Sequence, residues 1–68
     1  MTNTKLLRNI ISSKGLKYGY IAEQLNISHQ SLIRKIENKT EFKAGEIKKL
    51  CELLEINDYE EKESIFFI

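Results

Sequence analysis

A join of three residues constrains this chain more than any other feature. Asn26-Ile27-Ser28 separates two segments, about 18–25 and 29–37, whose apolar residues fall three and four apart. Ile21, Ala22 and Leu25 share one face of the first segment, and Leu32 and Ile36 share one face of the second. That spacing predicts two short amphipathic helices. So short a join leaves no slack, so the helices must turn sharply and pack against each other. Asn26 is, after glycine, the residue that best takes the left-handed conformation closing a helix. Ser28 is a good N-cap for the helix that follows. Ala22 keeps the inward surface of the first helix small, while Ile27 and Leu32 plug the corner.

The rest of the chain follows the same period. An earlier helix is predicted from about Thr4, as its N-cap, to Ser13, with Leu7, Ile10 and Ile11 inward. Gly15 stands where a helix ends in a left-handed residue, and Asn38 can close the helix over 29–37. A fourth helix is expected over about Ala44 to Leu54, with Ile47, Leu50, Cys51 and Leu54 as its inner stripe. Three pairs, Leu16 and Ile21, Ile27 and Leu32, and Phe42 and Ile47, have the spacing of a hydrophobic staple. They place N-caps at Lys17, Ser28 and Lys43, of which Ser28 alone has suitable cap chemistry. Glu46 suits the positive end of the fourth helix. Beyond Ile56, Asn-Asp-Tyr-Glu-Glu reads as a turn or short helix, and Ser-Ile-Phe-Phe-Ile has strand-like composition. The expectation is an all-α bundle of four to five helices with a short extended C-terminal tail.

Sixty-eight residues make one domain, residues 1–68, and a chain this short buries about 60% of its unfolded surface. Dimerisation or a ligand would help so thin a core. No apolar run approaches the roughly 18–20 residues of a membrane span, and the start lacks the pattern of a secretory signal. Cys51 and His29 are too few for a disulfide or a metal site; Cys51 reads as a small buried hydrophobe. A cytoplasmic location fits best. No paired carboxylate, nucleophile–base set or glycine-rich phosphate loop points to an enzyme or a cofactor. The net charge of +1 hides a polarity. Residues 1–50 hold ten Lys/Arg against Glu23, Glu37, Glu41 and Glu46, while residues 51–68 hold Lys62 against six acids. That polarity suggests one end built for a polyanion; a solvated surface with segregated charge is the bland alternative.

Ile-Ala-Glu-Gln-Leu-Asn-Ile-Ser-His-Gln-Ser-Leu, residues 21–32, resembles the helix-turn-helix of the Cro/CI (XRE) repressor family, above all small phage and prophage regulators. The likeness covers residues 5–56. It implies a lambda-repressor-like bundle whose helix over 29–37 enters the major groove, in a transcriptional regulator acting on DNA in a bacterial host cell. Three departures from the family pattern involve four positions. Asn26 replaces the usual glycine, and Lys17 and Tyr18 replace a capping Ser/Thr and a Gln. Lys35 stands where an apolar residue is usual, with Ile36 one later, which implies a rotated or shortened end to that helix.

The resemblance implies, and the residue chemistry supports, base contacts from His29, Gln30, Ser31, Ile33 and Arg34. Gln can pair bidentately with adenine and Arg with guanine; Ile33 can meet a thymine methyl or pack in the core. Phosphate contacts are expected from Lys17, Tyr18, Lys35, Lys39, Thr40 and Lys43. Tyr18 can equally pack against the next helix, and Arg34 can instead pair with Glu37. A palindromic double-stranded operator needs two half-sites about 34 Å apart, hence a homodimer. Its interface is expected at the fourth helix or the Ile65, Phe66, Phe67 and Ile68 tail, unless that tail folds onto its own core. The alternative function is a protein-interaction module that modulates a repressor, with little DNA affinity of its own.

Overall fold

The computed structural model describes residues 1–67. Its elements are α1 (Thr4–Lys14), α2 (Tyr18–Gln24), α3 (His29–Ile36), α4 (Ala44–Leu54) and α5 (Tyr59–Phe66), with no strand among the described residues. The Cα radius of gyration of 10.7 Å matches the roughly 10.9 Å expected for a compact chain of this length. One apolar core draws on every helix: Leu7 and Ile11, Ile21 and Ala22, Leu32 and Ile36, Leu50 and Leu54, and Ile65 and Phe66.

Four helices end in the same way. Gly15, Asn26, Asn38 and Glu55 all have positive φ, between 58° and 71°. At each, its own N–H and the next one donate back to two carbonyls of the last turn. Asn26 donates to Glu23 and Ile27 to Ala22; Asn38 donates to Lys35 and Lys39 to Arg34. These paired bonds satisfy carbonyls that a helix end leaves without partners. Three of these residues have the expected chemistry. Glu55 does not, because the left-handed conformation strains a residue that is neither glycine nor a short polar side chain such as asparagine.

The staples place their caps as the spacing predicts. Lys17, Ser28 and Lys43 are the N-caps of α2, α3 and α4, and Leu16, Ile27 and Phe42 pack against the core. Ser28 accepts from the N–H of Ser31 at 3.0 Å. Lysine has no acceptor to offer, so at α4 Glu46 reaches back and accepts the N–H of Lys43 at 2.8 Å.

Both ends of the chain correct the sequence reading. Asn3, not Thr4, caps α1, accepting from the N–H of Leu6 at 3.1 Å. Thr4 is thereby free to donate its hydroxyl to the carbonyl of Ile36 at 2.6 Å. The extended tail does not form; residues 59–66 are helical. A strand needs a neighbour to satisfy its ladder, whereas a helix satisfies itself and puts Lys62, Ile65 and Phe66 on one face. Ile65 and Phe66 are 0% and 4% exposed, so the tail folds onto its own core. Ile68 lies outside the described residues. The N-terminus then closes the fold: Asn3 donates to the carbonyl of Ile65 at 2.6 Å, and the Asn38 amide brackets the Thr2 backbone at 2.8 and 2.7 Å.

Candidate nucleic-acid interface

The α2–turn–α3 unit is fixed from the inside. Ile21, Ala22, Leu25, Leu32 and Ile36 are buried, and the two helices pack directly on each other. Locking Leu32 and Ile36 inward fixes the azimuth of α3, because residues 100° apart on a helix cannot all face the same way. His29, Gln30 and Arg34 therefore stand in solvent, with Ser31 and Ile33 half-buried at the borders. Ile33 is not among the described side chains that pack against the core.

Arg34 has no ion pair among the described residues. The Arg34–Glu37 alternative does not form, since Glu37 is taken by Arg8 of α1, Nη2 to Oε2 at 2.9 Å. This pairing also offsets a carboxylate near the end of α3. Ser31 accepts from the hydroxyl of Ser28 at 3.0 Å and keeps its own O–H to donate. At the other end of the unit the Tyr18 and His29 rings meet edge to face, centroids 6.3 Å apart. Tyr18 thus packs on α3, which leaves its half-buried ring at the start of both helices.

Of the residues expected at phosphates, Lys17, Lys39, Thr40 and Lys43 are exposed. The N–H groups of Lys39 and Thr40 both donate to the carbonyl of Arg34, at 2.9 and 3.4 Å, which draws their side chains to the end of α3. Lys35 is different: contrary to expectation, its ammonium is buried and is not placed to meet a phosphate. It is 9% exposed, and its ammonium lies 3.0 Å from Glu46 Oε1 and 3.1 Å from the carbonyl of Glu41. It stands three residues after Leu32, on the inner face, and so occupies the apolar position rather than displacing it. The helix keeps its azimuth and ends at Ile36, one residue before the expected Glu37.

Burial pushes the Glu46 carboxyl up, but the Lys43 N–H and the ammonium of Lys35 outweigh it and hold the group below its ordinary value. Glu46 is therefore charged at neutral pH, in the first turn of α4. Burial raises the Cys51 thiol, which suits a packing residue and not a nucleophile.

Sequence reasoning missed the Lys35–Glu46 pair, the Arg8–Glu37 pair and the Asn38–Thr2 bracket. The first was within reach: Leu32, Lys35 and Ile36 have inner-face spacing, and a lysine there needs a carboxylate. The other two join residues 29 and 36 positions apart, and no local pattern marks them.

Burial also narrows the surfaces open to a second protomer. Ile65 and Phe66 belong to the core and are not exposed for an interface, whereas Phe67 is 58% exposed. Among the described residues no helix is long and apolar enough to cross a membrane. Taken together, α3 offers an amide, a guanidinium and a hydroxyl outward, with lysines before it and after it. Comparison with family models, curated proteins and solved structures found no match, so the likeness to the Cro/CI family rests on the residue pattern at 21–32.

Proposed function

We propose that the chain is a sequence-specific DNA-binding transcriptional regulator that lays α3 in the major groove of a palindromic duplex, as a homodimer on that duplex. The observation that carries this reading is the pair Gln30 and Arg34. They lie one turn apart on the solvent face of α3, opposite buried Leu32 and Ile36, and Arg34 has no ion pair among the described residues. A rigid helix presenting one amide and one guanidinium matches the bidentate edges of adenine and guanine. His29, Ser31 and Ile33 flank them, suited to one hydrogen bond each from the first two and a thymine methyl contact from the third.

Lys17, Tyr18, Lys39, Thr40 and Lys43 supply the phosphate contacts, with Lys35 removed from that set. Three lysines per protomer give a slope of log affinity against log salt of about −3, shallower than four would give. Dimerisation doubles the reading length. Phe67 and the end of α4 remain as surfaces for it.

Selection of bound sequences from a random duplex pool tests the proposal, run with the native chain and with Arg34→Ala. The native chain is expected to recover a two-fold symmetric site. The variant keeps the site except for one position in each half, where its preference is lost. Recovery of no sequence, with no salt-dependent binding to any duplex, contradicts the proposal and favours a module that binds protein instead.

A further inference from the structure

We propose that Lys35 is a positioning residue for the phosphate-facing loop, holding residues 38–43 against α4 and cancelling the charge of Glu46. The proposal rests on the DNA-binding reading above. A lysine on the inner face of a helix is unfavourable unless its ammonium is paired. Here the side chains of Lys35 and Glu46 are 11% and 12% exposed, and the ammonium spans to the Glu46 carboxylate and to the Glu41 carbonyl. The same Glu46 oxygen accepts the N–H of Lys43. One oxygen atom thus connects α3, the loop and the start of α4.

Each end of the loop has its own anchor. Lys39 and Thr40 hang from the carbonyl of Arg34, and Phe42 meets Phe66 edge to face at 5.7 Å. Between these anchors, the Glu41 carbonyl is held by Lys35. An apolar side chain at position 35 would fill the volume but could neither hold that carbonyl nor face Glu46. A buried ion pair adds little stability over an apolar pair of the same size, so its use here is arrangement. Charge gives the second half of the argument. An uncompensated carboxylate three residues from Lys43 would repel the phosphates that Lys39, Thr40 and Lys43 are to meet. Lys35 neutralises it from the inner side without taking a phosphate itself.

The test compares the native chain with Lys35→Met, Glu46→Gln and the double variant, titrated with salt on a duplex recovered by the native chain. Lys35→Met is expected to bind about tenfold more weakly, with a salt slope shallower by about 1, and with the base preference set by Arg34 unchanged. The double variant should return to within about threefold of the native chain. Glutamine keeps an acceptor for the Lys43 N–H and carries no charge. A purely structural lysine would lower the unfolding midpoint in Lys35→Met, restore it in the double variant, and leave the salt slope at the native value in both. Native affinity and slope in Lys35→Met, or a double variant no better than Lys35→Met, overturns the proposal.

Should Lys35→Met fail to fold, hydrogen exchange on Glu46→Ala decides. The amides of Lys39 and Thr40, which Glu46 does not itself accept, should exchange about tenfold faster or more, while Leu50 and Leu54 keep their protection. Unchanged protection of the loop overturns the proposal. If the native chain binds no duplex, the DNA reading falls, and the exchange experiment still decides whether the pair orders the loop.

Discussion

The α2–α3 and α4–α5 joints share a closing motif and diverge after it. Each turns on a left-handed residue whose neighbour donates back into the helix, Ile27 to Ala22 in one and Ile56 to Cys51 in the other. In the first joint the residue is Asn26, which tolerates that conformation, and Ser28 makes a true cap. In the second it is Glu55, which does not, and Asp58 caps α5 without a side-chain hydrogen bond. The helices that follow differ in the same sense. α3 buries its apolar side and presents Gln30 and Arg34; α5 sinks Ile65 and Phe66 into the core and presents Glu60, Glu61 and Glu63. Local chemistry specifies the first joint, and tertiary packing carries the second. One displays side chains, and the other closes the core.

The largest expected effect breaks the second joint at its packing. Ile65→Ala should lower stability by about 2–5 kcal/mol in urea unfolding, since the site is sealed and leaves a cavity. Phe67→Ala, two residues on and in solvent, should stay within about 0.5 kcal/mol. Equal effects would mean that α5 does not pack as described. Next comes the displayed helix. Arg34→Ala should remove about 1–3 kcal/mol of discrimination at one base pair and leave the unfolding midpoint unchanged. A large drop in midpoint would give Arg34 a structural role instead.

Capping separates the joints more finely. Ser28→Ala should cost about 1 kcal/mol, whereas Asp58→Ala, with no cap bond to lose, should cost a few tenths through the helix dipole. Similar losses would show the two caps to be equivalent. The smallest effect has the opposite sign. Glu55→Gly should stabilise the chain by about 0.5–1 kcal/mol, relief of left-handed strain exceeding the added freedom of the unfolded chain. The lost pair with Lys14, at 3.0 Å and well exposed, subtracts little. A destabilised variant would mean that the Glu55 side chain holds the joint.

The same contrast explains what could be seen in the sequence. Apolar spacing and the three staples are local, so α1 to α4, their caps at Lys17, Ser28 and Lys43, and the outward face of α3 were all legible. The tail is less legible, because Ile65 and Phe66 have strand-like composition while burial against the other end of the chain favours the helix. A local signal did exist: Asp58, with Glu60 and Glu61 in the next turn, is a plausible helix start, and Lys62, Ile65 and Phe66 share a face. Lys35 presents a related conflict. Its charge argues for solvent, while its position three residues after Leu32 puts it inside, against Glu46. The pairs Arg8–Glu37 and Asn38–Thr2 depend on how distant elements meet, which no window of sequence contains.

The most direct measurement is an amide and side-chain NMR titration of the whole chain with a duplex recovered by selection. Shift changes and line broadening should gather at 17–18, 29–34 and 39–43, with the Arg34 guanidinium among the most affected, and leave the α4–α5 joint quiet. Changes centred on residues 55–66, with α3 unmoved, would contradict the account.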